Sequence, residues 1–348
     1  NVKEKLNSII LSMAEHHWLF SKNPGHDFTR QHLGKLSFYD TMRLIISMGK
    51  GSTNDEIMDY FDLDPDLIPS QSAFCQRRRQ ISLSAFEYLF SEFSSSFPST
   101  TDKFKDHCIL ACDGCHVVYA TNSDIIEDYN KPRLIDYKGY NHMHLNGFVD
   151  VISKAFLDVV IQPGQQPDER EALHSMLDHF TPDDPQKYII TADRGYKSYD
   201  LLFHCELKNL GYVFRVKSPS SPKSILSYYA SEFPDDLEEF DVTIKRFFTD
   251  KATNIMKSQS DVYRYINPSK NTPHFYELLR KNHSHLYFLQ FRVVKIKTAE
   301  NTYEYLITNL PFSFTLDDIQ ECYHWRWGIE ISFRYLKHAA GLLYFHSK

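Results

Sequence analysis

Three acids, Asp113, Asp193 and Glu330, make the strongest case for chemistry in this sequence, together with the cations and the phenol that surround the last of them. Near the end of the chain, "YHWRWGIEISFRYLK" sets two tryptophans, two arginines, a glutamate and a lysine between Tyr323 and Lys337. At about 100° per residue, Tyr323, Arg326, Glu330 and Lys337 project within about 60° of one another on a helix. Cys322, Trp325, Ile329, Phe333 and Leu336 fall on a neighbouring face that suits packing against a sheet. Asp113 stands inside the apolar stretch "CILACDGCHVVYA", and Asp193 ends the apolar run in "KYIITADRGY". Each acid alone has an ordinary structural reading. Asp113-Gly114 could make a hairpin turn, Asp193 could cap the turn that follows it, and Glu330 could pair with Arg326 or Arg334. Taken together, acids at the ends of adjacent buried strands repel unless positive charge sits among them. Two divalent ions about 3.5–4 Å apart would supply that charge. Carboxylate oxygens suit magnesium or manganese.

The elements that must position these acids are legible in the patterning. The first hundred residues read as helices. "SFYDTMRLIISMG" is amphipathic and ends at a glycine, and "STNDEIMDYFDL" opens on Ser52 and Thr53 with Asp55 and Glu56 in its first turn. "PSQSAFCQRRRQI" is a second short helix bearing Arg77, Arg78 and Arg79. This pair fits either a helix-turn-helix that enters a major groove or a plain helical bundle. A Ser-rich linker, "SEFSSSFPSTTDKFKD", follows. From residue 107 the texture changes to strands and then alternating helices and strands. "HMHLNGFVDVISKAFLDVVIQPG" is a strand pair turning near Ser153, "DEREALHSMLDHF" is a helix, "SYDLLFHCELKNLG" is a helix closed by Gly211, and "YVFRVK" is a strand. This order predicts a mixed α/β sheet with helices on both faces. Residues 218–302 break the rhythm and read as a β-rich insertion. In it Val293, Lys295 and Lys297 share one side of a strand, opposite Arg292, Val294 and Ile296. "YLITNLP" then returns to the α/β region.

Composition narrows the function classes. The chain has 348 residues, of which 42% are hydrophobic, enough for a large core and for two or three domains. Its net charge of −6 does not advertise a nucleic-acid partner, but residues 241–298 hold 11 Lys+Arg against 4 Asp+Glu, a local basic surface in an acidic chain. Six cysteines in a chain of this size suit a reducing cytoplasm better than a disulfide framework. Cys108, Cys112 and Cys115, with His107 and His116 beside them, lack a second pair at finger spacing and read as a strand in preference to a zinc site. No apolar run reaches membrane-spanning length, and the start lacks a signal-peptide pattern. The missing initiator Met and the end at Lys348, just past the helix, predict trimming at both ends.

Four features make the chain resemble the DDE transposases of the insertion-sequence-4 family: "CDG", "ADRGY", "LITNLP", and the Tyr-x2-Arg-x3-Glu-x6-Lys spacing of residues 323–337. "DFTRQHLGKLSFYD" and "PSQSAFCQRRRQI" extend the likeness into the N-terminal region. The resemblance implies a ribonuclease-H-like catalytic core. Four segments follow: a helical DNA-binding domain over 1–100, core over 101–217, a β-rich insertion over 218–302, and core again over 303–348. It also implies that Asp113, Asp193 and Glu330 hold magnesium (manganese as the alternative) for attack on a phosphodiester, in cut-and-paste excision and strand transfer. Tyr323, Arg326 and Lys337 would hold phosphates beside Glu330. Arg194, Tyr196, Lys295, Lys297 and Arg77 to Arg79 are expected at the DNA. The partners implied are double-stranded DNA, through the element's terminal inverted repeats and its target, and a second subunit in a homodimer acting on the bacterial nucleoid. In related enzymes a Trp of the insertion stacks on a base extruded during hairpin formation. Here the tryptophans are Trp18, Trp325 and Trp327, so Tyr303 or Tyr305 would substitute, unless both simply pack in a strand. Cys115 replaces the Ser that commonly follows Asp-Gly in the family. A decayed or domesticated DNA-binding relative and a nuclease without strand transfer stand as alternatives.

Overall fold

The computed structural model describes residues 1–29, 36–96, 103–131, 139–234, 236–251, 253–267 and 272–343. The expected Ser-rich linker, residues 91–106, is in part helix, since a helix runs on to Ser95; its residues 97–102 lie outside that set, as do the last residues, 344–348.

Five helices come first: α1 (Val2–Glu15), α2 (Phe38–Ser47), α3 (Thr53–Tyr60), α4 (Gln71–Gln80) and α5 (Leu83–Ser95). Their starts follow local chemistry. Ser37 with Asp40, and Ser52 with Asp55, form reciprocal capping boxes, which satisfy amide groups that a helix start otherwise leaves unpaired. The expected glycine stop of α2 is not what ends it. Met48 already turns extended (φ −58°, ψ 132°), one residue before Gly49. Ile10, Met13, Phe38, Met42, Ala85 and Leu89 form one core between α1, α2 and α5. Leu44, Ile57 and Phe74 join α2, α3 and α4 in another.

The chain then builds β1 (Cys108–Tyr119), β2 (Tyr129–Asn130), β3 (Tyr140–Asp150), β4 (Ala155–Pro163), α6 (Glu169–His179), β5 (Tyr188–Ala192), α7 (Tyr199–Leu207) and β6 (Gly211–Val216). β7 (Phe240–Thr249), α8 (Asn254–Ser258), β8 (Tyr263–Tyr265), α9 (Pro273–Lys281), β9 (Leu286–Ala299), β10 (Thr302–Thr308), α10 (Leu316–His324) and α11 (Trp327–His338) complete it. β4, β3 and β1 are antiparallel neighbours, and β1, β5 and β6 run parallel, the strand order and directions of a ribonuclease-H-like fold. The sheet does not stop there. β10 pairs antiparallel with β6, β9 with β10, β7 with β9, and β8 lies parallel to β7, giving ten strands in one sheet. The strands of the stretch expected to be β-rich, β7 to β9, therefore continue the central sheet through β10, the strand that pairs with β6.

Side-chain alternation splits the interior into two layers. Leu110 and Cys112 of β1 join Leu173, Met176, Leu201, Leu202, Phe275 and Leu279 of α6, α7 and α9 on one face. Ile109 and Ala111 join Ile319, Cys322, Ile329 and Phe333 of α10 and α11 on the other. Gly211 does not close α7, since it is the first residue of β6. The left-handed position after that helix belongs to Asn209 (φ 53°), a residue whose short polar side chain tolerates it.

Candidate active site

β1 and β5 bring the two aspartates together. Their parallel ladder runs to Ala111 opposite Thr191, and Asp113 and Asp193 each lie two residues further along. Both share the parity of Ile109 and Ile189, whose side chains lie in the layer of α10 and α11. Asp113-Gly114 is not a hairpin turn. β1 runs on to Tyr119 against β3, so Asp113 sits mid-strand, opposite Gly147. A Cβ on Gly147 would come 2.9 Å from Phe156 and 3.2 Å from Phe333 of α11, so this glycine is what lets that helix approach the sheet.

The helix expected over "YHWRWGIEISFRYLK" is two helices. α10 ends at His324, and Gly328 and Ile329 bond back to the Trp325 and Arg326 carbonyls three residues earlier. Gly328 is close-packed there, since a Cβ would stand 3.2 Å from Val151. The break re-aims the expected face. Tyr323 and Arg326 are buried, while Trp325 and Trp327 are 38% and 52% exposed, so Trp325 does not pack against the sheet as the periodicity predicts. Arg326 donates from Nη1 to Asp113 Oδ2 (3.4 Å) and from Nη2 to Glu330 Oε1 (3.1 Å), bridging β1 to α11. The expected Glu330–Arg326 pair is therefore present, and it includes Asp113.

The electrostatics are those of crowded acids. Burial pushes the Asp113 carboxyl up to about 6. The Gly114 amide and Arg326 pull it down, and Asp193 and a further acid, Glu169, push it up. Asp193 Oδ1 accepts from the Gly195 amide (2.6 Å), as a turn-capping aspartate does. Glu169 is the residue that sequence reasoning missed. It opens α6, its Oε1 lies 3.2 Å from His144 Nε2, and a Cβ on Gly195 would fall 2.9 Å from Asp193 and 3.6 Å from Glu169. Acids are common in the first turn of any helix, so nothing in "DEREAL" sets Glu169 apart. Four carboxylates from β1, the end of β5, α6 and α11 thus share one region, with Arg326 as a cation touching two of them. Oxygen donors of this kind suit a hard divalent ion, and the repulsion recorded at Asp113 is what such an ion relieves.

The other expected site residues are scattered. Tyr196 is a correction: it is fully buried, and its hydroxyl accepts from Cys112 Sγ (3.6 Å), so the side chain belongs to the core and presents no surface to DNA. Tyr323 is likewise buried, with Arg326 over its ring at 5.6 Å. Lys337 is half-buried against Cys115, whose thiol burial pushes up and Lys337 pulls down. Arg194 and Arg79 are exposed. Arg77 lies over Phe28 and bonds Gln80, and Arg78 lies over Phe74. Lys295 bonds the Leu237 carbonyl and covers Tyr303 at 4.5 Å, while Lys297 pairs with Glu238 at 2.7 Å. Tyr305 packs half-buried near Phe240. None of the six cysteines forms a disulfide, and Cys108 and Cys112 are buried in β1. Among the described residues no helix is long and apolar enough to cross a membrane.

Comparison with known proteins matches residues 104–348 to a family model described as the transposase DDE domain. Among solved structures, the chain is similar to a piggyBac transposase in a synaptic complex with hairpin DNA, at 9% identity and a TM-score of 0.43. The match covers 85% of this chain and 57% of that one. No curated protein matches.

Proposed function

The chain belongs to the transposase DDE domain family, and from that premise we propose that it is a metal-dependent DNA transposase of the cut-and-paste type, acting on the terminal inverted repeats of its own element. The observation that carries the reading is the convergence of Asp113, Asp193 and Glu330 from three separate elements, in an arrangement where burial and like charge raise Asp113 to about 6. Asp113, Asp193 and Glu330 would hold magnesium, or manganese in its place, with Glu169 as a fourth acid at the same site. Bound there, the metal would supply a Lewis acid for in-line displacement at a phosphodiester. The chain's own residues do the rest. Arg326 ties the Glu330 helix to β1 and offsets charge between the acids. Lys337 and the exposed Arg194 would position a strand, and the helices of residues 1–100, with Arg79 exposed, would read the element's end. Lys295 and Lys297 would add backbone contacts from β9, and two subunits would act together on paired ends.

The test uses a duplex carrying an inverted repeat taken from the DNA that flanks the gene. The wild-type chain should nick it with magnesium or manganese and join it to a target, and Asp193→Asn should bind it in a gel shift without nicking. A wild-type chain that binds the end but never cleaves would identify a decayed DNA-binding relative. Cleavage without joining would identify a nuclease.

A further inference from the structure

His174, His204 and His274 lie on the α6, α7 and α9 side of the sheet, and each comes from a different one of those helices. His204 and His274 stack at 3.8 Å between ring centroids and 10° between planes, and His174 stands 4.5 Å from His274. One nitrogen from each ring falls within 4.8 Å of the others. Nothing in the transposase reading uses these residues.

The carboxylates around the cluster decide what the rings can do. His204 Nε2 is 3.1 Å from Asp178 Oδ1, His274 Nδ1 is 2.7 Å from Asp200 Oδ2, and His174 Nε2 is 3.8 Å from the same Asp200 oxygen. An ionised carboxylate only accepts, so His204 keeps its proton on Nε2 and His274 on Nδ1, while the 3.8 Å gap at His174 is too long for a hydrogen bond and leaves its tautomer free. That leaves lone pairs on Nδ1 of His204 and Nε2 of His274, and His174 Nδ1, 2.9 Å from His204 Nδ1, donates its proton to the first of them. A metal ion can take the place of that shared proton, with His174 carrying its own proton on Nε2, on the side of Asp200. A histidine whose outer N–H is held by a carboxylate while the inner nitrogen points at its fellows is the arrangement of a metal ligand with its supporting shell.

We propose that His174, His204 and His274 bind one zinc ion, with Asp178 and Asp200 orienting the rings, at a site separate from the acidic one. Three imidazole nitrogens select zinc, or cobalt as its probe, over magnesium. Zinc–nitrogen bonds of about 2.0–2.1 Å require the nitrogens to stand roughly 3.3 Å apart, and because the rings stack within 15° of parallel they must tilt out of the stack for their lone pairs to converge. The site has a structural consequence. Asp200 also accepts from the backbone amides of His274 and Phe275 (3.0 and 3.2 Å), capping α9, whose own N-cap residue Thr272 makes no side-chain cap. The ion would therefore fasten α9 to α6 and α7.

The experiment strips the full chain of metal, saturates it with magnesium, and titrates cobalt(II) while following visible absorption. About one equivalent should give intense bands of a tetrahedral site, zinc should displace it, and zinc should raise the melting temperature. His274→Gln, read by circular dichroism for retained fold, should weaken cobalt binding at least about 100-fold, and Asp113→Asn should leave it unchanged. If His274→Gln does not fold, His174→Gln at the rim of the cluster serves with the same expectation. A folded wild-type chain that takes up no cobalt or zinc overturns the proposal. Uptake that follows Asp113 instead of the histidines overturns it as well.

Discussion

The acidic site and the histidine cluster are each assembled from several separate elements of one sheet domain, yet their physics is opposite. At the acidic site the groups carry like charge and stay partly open: the side chains of Asp113, Glu169 and Glu330 are 22%, 35% and 39% exposed. In the cluster the rings are closed in, with His174, His204 and His274 at 13%, 2% and 12%. Open, repelling oxygens leave room for substrate and call for a hard ion that keeps exchangeable positions. Closed, oriented nitrogens suit an ion that never meets substrate. The difference teaches that a cluster of ionisable groups declares its role through exposure and donor type more than through residue count.

The sharpest way to break the comparison is Asp113→Asn. We expect nicking to fall at least about 1000-fold, equivalent to about 4 kcal/mol of lost transition-state stabilisation, with cobalt binding and melting temperature preserved. A large loss of stability would show that the acids hold the fold together and would merge the two regions. Next comes Asp200→Asn, which leaves the His274 ring and the first amides of α9 with a weaker partner. Equilibrium unfolding in urea should show a loss of about 2–3 kcal/mol, while the magnesium dependence of nicking at permissive temperature stays put. Glu169→Gln sharpens the boundary of the acidic site. The magnesium concentration for half-maximal nicking should rise about tenfold if Glu169 supports the ion, and should not move if its only role is beside His144.

The smallest effect concerns Glu206, an acid of α7 that belongs to neither region. Burial raises its carboxyl, although Asn309 donates to it at 3.2 Å. A raised acid favours the protonated folded state, so its contribution is greatest below the unfolded value and is lost as pH rises through the folded one. Glu206→Gln should therefore flatten the decline in stability with rising pH above about 4.5. Denaturant midpoints measured across pH 4 to 8 check the sign, and an unchanged slope would show that Glu206 plays no part in it.

Much of the sheet was readable because strand and helix periods are local. "KYIITADRGY" announces a buried strand ending at an acid, and the turn after β3 falls where Ser153 suggests. The helix of Tyr323 to Lys337 was misread for the same reason. A periodicity argument assumes unbroken geometry, and the close contact of Gly328 with Val151, made by the fold, coincides with a turn that moved Trp325 outward and Arg326 inward.

The sequence by itself determined the alternation that makes two core layers, the capped starts of the helices, and the identity of the acids and their family pattern, all set by neighbours within a few residues. Tertiary structure alone decided which acids meet, that Arg326 joins Asp113 to Glu330 and that Glu169 stands with them. It also buried Tyr196 and brought three histidines from α6, α7 and α9 together. The physical reason is separation along the chain. His174 and His274 are a hundred residues apart, and only strand pairing and helix packing across the sheet bring such groups within bonding distance.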